Sequence, residues 1–192
     1  MTRVFLALVL PPGLIETAWG VSLRMQEVAP PGLVRWVPRE NFHLTLRFFG
    51  DLDRARLDRA LSETAALDGA FPAVTARLGT VSAFPSESRP SVLWIGLQSG
   101  GKLEALAAEV DRRLVAAGFG PADKPWKSHL TLGRIGREER ISPPLARNLL
   151  SSGRLTAETS EDTIGAIALI ESELRPQGAR YTPLRTAIAA RS

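Results

Sequence analysis

The sequence predicts an α+β fold built from two duplicated lobes. Strand-like stretches alternate with stretches of helical periodicity, in an order too irregular for a doubly wound parallel sheet. The tetrapeptide HLTL occurs twice, at His43–Leu46 and at His129–Leu132, and each half of the chain pairs one copy with a helix. No glycine-rich phosphate loop is present. We therefore expect one domain over residues 1–192, made of two pseudo-symmetric lobes.

The first half begins with seven apolar residues that predict a strand buried on both faces, followed by prolines that start a helix. Alternating residues predict the strand that carries the first HLTL, and leucine and alanine at helical spacing predict the next helix. The expected elements are strand 4–10, helix 11–28, an extended stretch at 34–37, strand 41–49, a turn at 50–51 and helix 52–69.

The second half opens with apolar and β-branched residues that predict strands, and a second amphipathic helix ends at a glycine. A serine followed by proline predicts a capped helix after the second HLTL. The expected elements are one or two strands in 71–84, a loop at 85–90, strand 91–97, helix 102–118, a strand with the second HLTL, helix 142–150, and closing strands at 162–173 and 180–189 around the turn-like RPQG.

Composition limits the chemistry. Hydrophobic residues make up 44% and charged residues 23% of the 192 residues, which is typical of a globular protein. The chain has no cysteine, so disulfides, zinc–thiolate sites and thiol nucleophiles are excluded, and a reducing cytoplasm is the expected location. The apolar opening stretch is followed by Pro11 and Pro12 rather than by a cleavage site, and no stretch is long enough to span a membrane.

The two HLTL copies contain the only two histidines of the chain. Because side chains alternate along a strand, His43, Thr45 and Arg47 should share one face, while the leucines anchor the other face in a core. The same alternation puts His129 and Thr131 together. If the lobes face each other, both pairs meet in one cleft.

Two imidazoles across a cleft suit phosphodiester chemistry. Histidine titrates near neutrality, so one ring removes a proton from the attacking group while the other protonates the leaving oxygen. Threonine hydroxyls and an arginine can hold the phosphate oxygens. A structural role explains a single His-x-Thr, and gene duplication explains a repeat, but neither explains polar residues at both equivalent positions. Without HxH, HxxxH or cysteine spacing, a metal site is not expected.

These motifs resemble the 2H phosphoesterase superfamily, and more closely the bacterial and archaeal RNA 2′,3′-cyclic phosphodiesterases, also called 2′-5′ RNA ligases. The resemblance covers most of the chain. Its segments are RVFLALVLPPGL, RWVPRENFHLTLRFFGDLD, SVLWIGL, SHLTLGRI and ALIESELRPQGARYTPL. It implies two antiparallel sheets, flanked by helices, around a central groove.

The resemblance also implies an activity and its residues. The activity is hydrolysis of an RNA or nucleoside 2′,3′-cyclic phosphate to the 2′-phosphomonoester without metal or cofactor, with 2′-5′ ligation as the reverse reaction. His43 corresponds to the general acid and His129 to the base, with the two roles exchanged in ligation. The positions expected to bind substrate are Thr45, Thr131, Arg134, Arg47 and Phe48, the last by stacking on a base unless it packs in the core.

Two other functions stay open at this stage. One is a phosphodiesterase for another small cyclic phosphate, such as ADP-ribose 1″,2″-cyclic phosphate, or for a 2′-5′ oligonucleotide. The other is a nucleotide- or RNA-binding module without turnover. The expected partners are RNA ends or nucleotides rather than a membrane, and the expected state is a monomer because one chain completes the site.

Overall fold

The structure, a computed structural model, describes residues 1–136, 141–155, 159, 161–175 and 178–191. Strands and helices alternate through these residues. In chain order the elements are β1 (Thr2–Val9), α1 (Pro12–Val28), β2 (Val34–Trp36), a 3-10 turn (Arg39–Asn41), β3 (His43–Leu52), α2 (Arg54–Ala65), β4 (Val74–Ser86), β5 (Arg89–Gln98), α3 (Lys102–Ala116), β6 (His129–Ile135), α4 (Pro143–Ser152), β7 (Asp162–Ile164), β8 (Ala166–Arg175) and β9 (Gly178–Ile188).

Two antiparallel sheets organise the molecule. The first sheet has the strand order β3-β1-β8-β9, and the second has the order β2-β6-β5-β4-β7. Each sheet therefore contains one of the two HLTL strands, β3 in the first and β6 in the second. The predicted α+β class, with two antiparallel sheets flanked by helices, is confirmed.

Helices cover one face of each sheet. Helix α2 packs along β8 and β9 and α3 packs on β3, whereas α1 and α4 lie together on the second sheet. The first leucine of each motif, Leu44 and Leu130, is fully buried on the helix-covered face of its sheet. Burial of each such side chain stabilises the fold by about 1.5–3 kcal/mol, which fixes the opposite face of each motif toward the groove.

Side chains cap the first turns of two helices, and the cap at Ser142 is the predicted one. The side chain of Asp53 accepts a hydrogen bond of 2.8 Å from the backbone N–H of Arg56 at the start of α2. Ser142 caps α4 in the same way, accepting from the backbone N–H of Leu145 at 3.4 Å. Each cap satisfies one of the backbone donors that have no partner inside the helix.

Several predicted strand ends are wrong. The loop expected over residues 85–90 is a short turn, because β4 runs to Ser86 and β5 begins at Arg89. The turn expected at Gly50 and Asp51 is absent, because β3 continues to Leu52 and pairs with the start of β1. A bulge and the positive φ of 73° at Gly50 let the strand bend there without ending.

The single closing strand expected over residues 162–173 is two strands in different sheets. Strand β7 pairs with β4 in the second sheet, and after Gly165 the chain enters β8 in the first sheet. The sheets are therefore interleaved along the chain rather than formed by successive halves. Of the expected RPQG turn, Pro176 and Gln177 lie outside the described residues. No helix in the described ranges is long and apolar enough to cross a membrane.

Candidate active site

The first HLTL copy places His43 and Thr45 on the groove face of β3. Nδ1 of His43 lies 2.7 Å from the carbonyl oxygen of Asn41, and Nε2 lies 3.0 Å from Oγ1 of Thr45. Since a carbonyl only accepts, Nδ1 carries the proton in the neutral ring, and Nε2 is then the acceptor. The imidazole is thus held with its basic nitrogen next to a threonine hydroxyl.

The second copy repeats this arrangement on β6. Nδ1 of His129 lies 2.8 Å from the carbonyl oxygen of Lys127, which fixes the same tautomer as in His43. Within the described ranges no protein group hydrogen-bonds Nε2 of His129, so its lone pair is available to a ligand. Each histidine is oriented by the carbonyl two residues before it.

Both motif strands contain a β-bulge immediately after the His-x-Thr. In the pairing of β3 with β1 the extra residue is Leu46, and in the pairing of β6 with β5 it is Leu132. A bulge adds one residue to one strand and reverses the alternation beyond it. The residue five positions after each histidine therefore returns to the groove face, which is Phe48 in the first lobe and Arg134 in the second.

The expectation that Arg47 shares the face of His43 is wrong, because the bulge at Leu46 turns it away from the groove. Its guanidinium forms an ion pair with Asp111 of α3. Nη2 also donates to the carbonyl oxygens of Gly120, at 2.6 Å, and Pro121, at 2.9 Å. Arg47 is thus a largely buried clamp between β3 and the segment that follows α3.

A cavity of about 310 Å³ lies between the two sheets and collects residues from both motifs. The first sheet contributes His43, Thr45 and Phe48, and the second contributes Thr131 and Arg134. Phe48 is 50% exposed with the guanidinium of Arg3 4.7 Å over its ring, so it is not a core residue.

His129 does not line this cavity itself, but it lies two residues before Thr131 on the same face of β6, and its charge is one of those that lower the pKa of His43. The cavity therefore brings together His43, Thr45, Phe48, Thr131 and Arg134, with His129 on the adjacent part of β6, and leaves out Arg47.

The surroundings lower the pKa of both histidines below 6.5. For His43 the main cause is burial, which disfavours the charged ring, and the hydrogen bond to Asn41 opposes this in part. Burial is also the main cause for His129, and the charges of Lys127 and Arg134 lower its pKa further. The lowered pKa values favour the neutral form of both rings, and an anion bound in the groove would raise these pKa values again.

Several site residues have no marker in the sequence. The ring of Phe5 lies 4.7 Å from that of His43, and the only tyrosine of the chain, Tyr181, contacts both rings edge-on. These residues come from β1 and β9, so only the sheet register brings them to β3. Asn41, which holds His43, also donates to the carbonyl oxygen of Ala179 in β9 at 2.9 Å.

Trp126 joins the two motifs directly. It precedes β6, and its indole N–H donates to the carbonyl oxygen of Thr45 in β3 at 2.7 Å. This hydrogen bond spans the two lobes and holds the segment that leads into His129 against the strand that carries His43. An indole before the second motif could be read from the sequence, but its partner could not.

Comparison with known proteins identifies clear relatives. Residues 24–94 match the family described as LigT-like phosphoesterase. Over 160 residues the chain is 33% identical to the RNA 2′,3′-cyclic phosphodiesterase of Aeropyrum pernix, covering 83% of this chain and 88% of that one. It is 34% identical over 150 residues to the enzyme of the same name from Aquifex aeolicus, covering 77% and 78%. Among solved structures, the protein TT0787 of Thermus thermophilus has a TM-score of 0.74 at 27% identity, with 98% of each chain covered.

Proposed function

Because this chain belongs to the LigT-like phosphoesterase family, we propose that it is an RNA 2′,3′-cyclic phosphodiesterase. The substrate is a cyclic phosphate at an RNA end or on a nucleoside, and the product is the 2′-phosphomonoester. The observation that carries this proposal is the groove cavity, in which residues of both HLTL motifs and Arg134 converge.

The reaction needs one base and one acid on opposite sides of the phosphorus. One imidazole takes a proton from water as its oxygen attacks, the P–O3′ bond breaks, and the other imidazole protonates O3′. Thr45 and Thr131 donate to the non-bridging oxygens. The guanidinium of Arg134 stabilises the charge that builds up on the phosphoryl group in the transition state. These residues supply both proton transfers, so the step requires no metal.

Arg134 lowers the pKa of both rings, and the additional charge of Lys127 beside His129 favours His129 as the base and His43 as the acid. Lys127 and Arg134 both lower the pKa of His129, whose Nε2 has no hydrogen-bond partner in the described part of the chain. His43 is oriented by Asn41 and Thr45, and binding of an anionic phosphodiester opposes the effect of Arg134 and raises its pKa. When a 5′-hydroxyl attacks in place of water, the same roles give a 2′-5′ linkage, and the roles exchange when that linkage is cleaved back to the cyclic phosphate.

Phe48 forms the wall of the cavity on which the base of the substrate stacks, with Arg3 over its ring. The phosphate then lies between the two lobes and the nucleoside lies toward the first. Since both motifs come from one chain, we propose that the two lobes act as a single catalytic unit in a monomer, and the absence of cysteine fits a reducing cytoplasm.

The test is hydrolysis of adenosine 2′,3′-cyclic phosphate by the purified protein in the presence of EDTA. The expected product is adenosine 2′-phosphate alone, because only the bond to O3′ is broken. Formation of the 3′-phosphate, or complete loss of activity with EDTA, would contradict the mechanism. Tight binding of the nucleotide without product would instead support a binding module.

A further inference from the structure

A second cavity lies directly beside His43, on the groove face of the first sheet. Its volume is about 290 Å³. The side chains that form its floor come from β1, β8 and β9, on the face opposite to the core residues Leu8, Ile167 and Leu169. We call this space the β8–β9 pocket, and its floor consists of Val9, Ala166, Ala168, Ile170, Pro183 and Thr186.

The β8–β9 pocket and the active-site cavity share a wall. Asn41, His43 and Tyr181 line both spaces. The side-chain amide of Asn41 donates to the carbonyl oxygen of Ala179 at 2.9 Å, and the ring of Tyr181 meets that of His43 edge-on with centroids 5.4 Å apart. These contacts fix the wall between strands β3 and β9. A ligand that touches His43 therefore has a space on either side of the imidazole.

The two spaces differ in charge and therefore suit different parts of a nucleotide. The guanidinium groups of Arg3 and Arg134 line the active-site cavity. The β8–β9 pocket has the exposed carboxylate of Glu40 at its edge, and no lysine or arginine is among its lining residues in the described ranges. A carboxylate repels a phosphate but accepts a hydrogen bond from the amino group of a base. A volume near the lower end of ligand pockets, about 300 Å³, suits a single base on an apolar floor.

The covalent structure of a ribose 2′,3′-cyclic phosphate determines which base reaches this pocket. The base of the terminal nucleotide leaves the ribose at C1′, next to C2′, whereas the RNA chain on the 5′ side leaves at C4′, next to C3′. In the proposed reaction His43 protonates O3′, and the terminal base stacks on Phe48 in the active-site cavity. The preceding nucleotide then leaves the ribose from the end that carries O3′, past His43 and away from Phe48. The β8–β9 pocket lies on that side of the imidazole.

We propose that the β8–β9 pocket binds the base of the nucleotide that precedes the cyclic phosphate at an RNA end. This inference rests on the proposed function and deepens it, because it makes the preferred substrate an RNA end of at least two nucleotides rather than a free nucleoside cyclic phosphate. The chemical step is the same for both substrates. The pocket contributes binding energy that a mononucleotide cannot use.

The test compares two substrates that end in the same nucleotide. One is the dinucleotide ApA with a terminal 2′,3′-cyclic phosphate, and the other is adenosine 2′,3′-cyclic phosphate. The measured quantity is the ratio of kcat/KM for the dinucleotide to kcat/KM for the mononucleotide, which we expect to be about tenfold in the wild type. Both substrates use the same histidines, so changes in pKa or in the amount of folded enzyme cancel in this ratio.

Ala166→Leu and Thr186→Leu fill the pocket from two different strands, and each should lower the ratio to near one through weaker binding of the dinucleotide. Thr182→Leu makes the same change at an exposed position of β9 outside the pocket lining, and this matched control should keep the wild-type ratio. A wild-type ratio near one, an unchanged ratio in both filled variants, or an equal fall in the control would overturn the inference. Absence of hydrolysis of both substrates by the wild type would instead refute the proposed function on which the inference rests.

Discussion

The strands β3 and β6 carry the same four residues and the same bulge, yet their environments differ. In both, a backbone carbonyl two residues earlier fixes the imidazole, and a leucine bulge returns the residue five positions on to the groove. That residue is aromatic in the first lobe, Phe48, and cationic in the second, Arg134. The two histidines are thus held in the same geometry, while the residues around them differ.

The residues that surround the two rings show a similar contrast between apolar and charged groups. His43 lies on an apolar surface made by Phe5 and Tyr181. Arg134 lowers the pKa of both rings, and Lys127, two residues before His129, lowers the pKa of His129 further. This difference supports the proposed roles, in which the same motif acts as the acid in the first lobe and as the base in the second.

The largest effect is expected from removal of either histidine. His43→Ala and His129→Ala should each lower kcat/KM for adenosine 2′,3′-cyclic phosphate by about 10³-fold, because each supplies one of two proton transfers. The double variant should lose little more than either single variant, since the two groups act in one step. Steady-state kinetics with circular dichroism as a folding control measures this. A single variant that keeps a tenth of the activity would break the symmetry between the lobes.

The residues five positions after each histidine should separate binding from chemistry. Arg134→Ala is expected to lower kcat about 10²–10³-fold, because it stabilises charge in the transition state. Phe48→Ala should mainly raise KM, by about tenfold, through lost stacking on the base. Arg134→Lys is the control for charge without the planar fork and should recover part of the loss. If Arg134→Ala raised KM and left kcat intact, the assignment of Arg134 to chemistry and of Phe48 to binding would be wrong.

A buried and an exposed arginine ion pair of the first lobe give a contrast in stability. Arg47→Met should lower the free energy of unfolding by about 2–4 kcal/mol, because it strips the donor from Asp111 and from the backbone carbonyls of the segment after α3. Arg54→Met, which breaks an exposed pair with Asp58, should cost about 0.5 kcal/mol or less. Denaturant titration of both variants compares them. Equal losses of unfolding free energy in the two variants would show that the contacts of Arg47 stabilise the fold no more than a surface ion pair does.

The smallest expected effect is on the pH profile. Burial lowers the pKa of both histidines. In the free enzyme the acidic imidazole therefore loses its proton, and the basic imidazole becomes neutral, at pH values below 6.5. The maximum of kcat/KM should therefore lie on the acidic side of pH 6.5. Lys127→Met removes a charge that lowers the pKa of His129. The limb of the pH profile that reports deprotonation of His129 should therefore move to higher pH. A maximum above pH 7 in the wild type would contradict these directions.

Local patterns were enough to predict the motif strands and most helices. The two HLTL copies, the cap at Ser142 and the spacing of leucines in α2 are short-range features, and the structure has each in the expected place. The pairing register of the strands, and the passage of the chain from one sheet to the other, were not predictable from local patterns. Phe5 and Tyr181 meet His43 only because β1 and β9 belong to the first sheet, and Gly165 ends one strand without a local turn sequence.

The bulge had an indirect marker in the sequence. Under strict alternation a residue five positions after His129 faces away from it, yet Arg134 was expected beside the phosphate. Both statements hold only if one extra residue intervenes, and Leu132 is that residue. The same reasoning applied to the first copy turns Arg47 away from His43 and brings Phe48 into the groove.

The proposed reaction requires both imidazoles to contact one phosphoryl group, and the composition of the chain makes this directly measurable. With only two histidines, the proton NMR spectrum contains two histidine Cε1–H resonances. Titration with adenosine 2′-phosphate should shift both, raise the pKa of both, and saturate both together at one nucleotide per chain. A shift of one resonance alone, or saturation of the two at different concentrations, would show that the rings do not share a ligand.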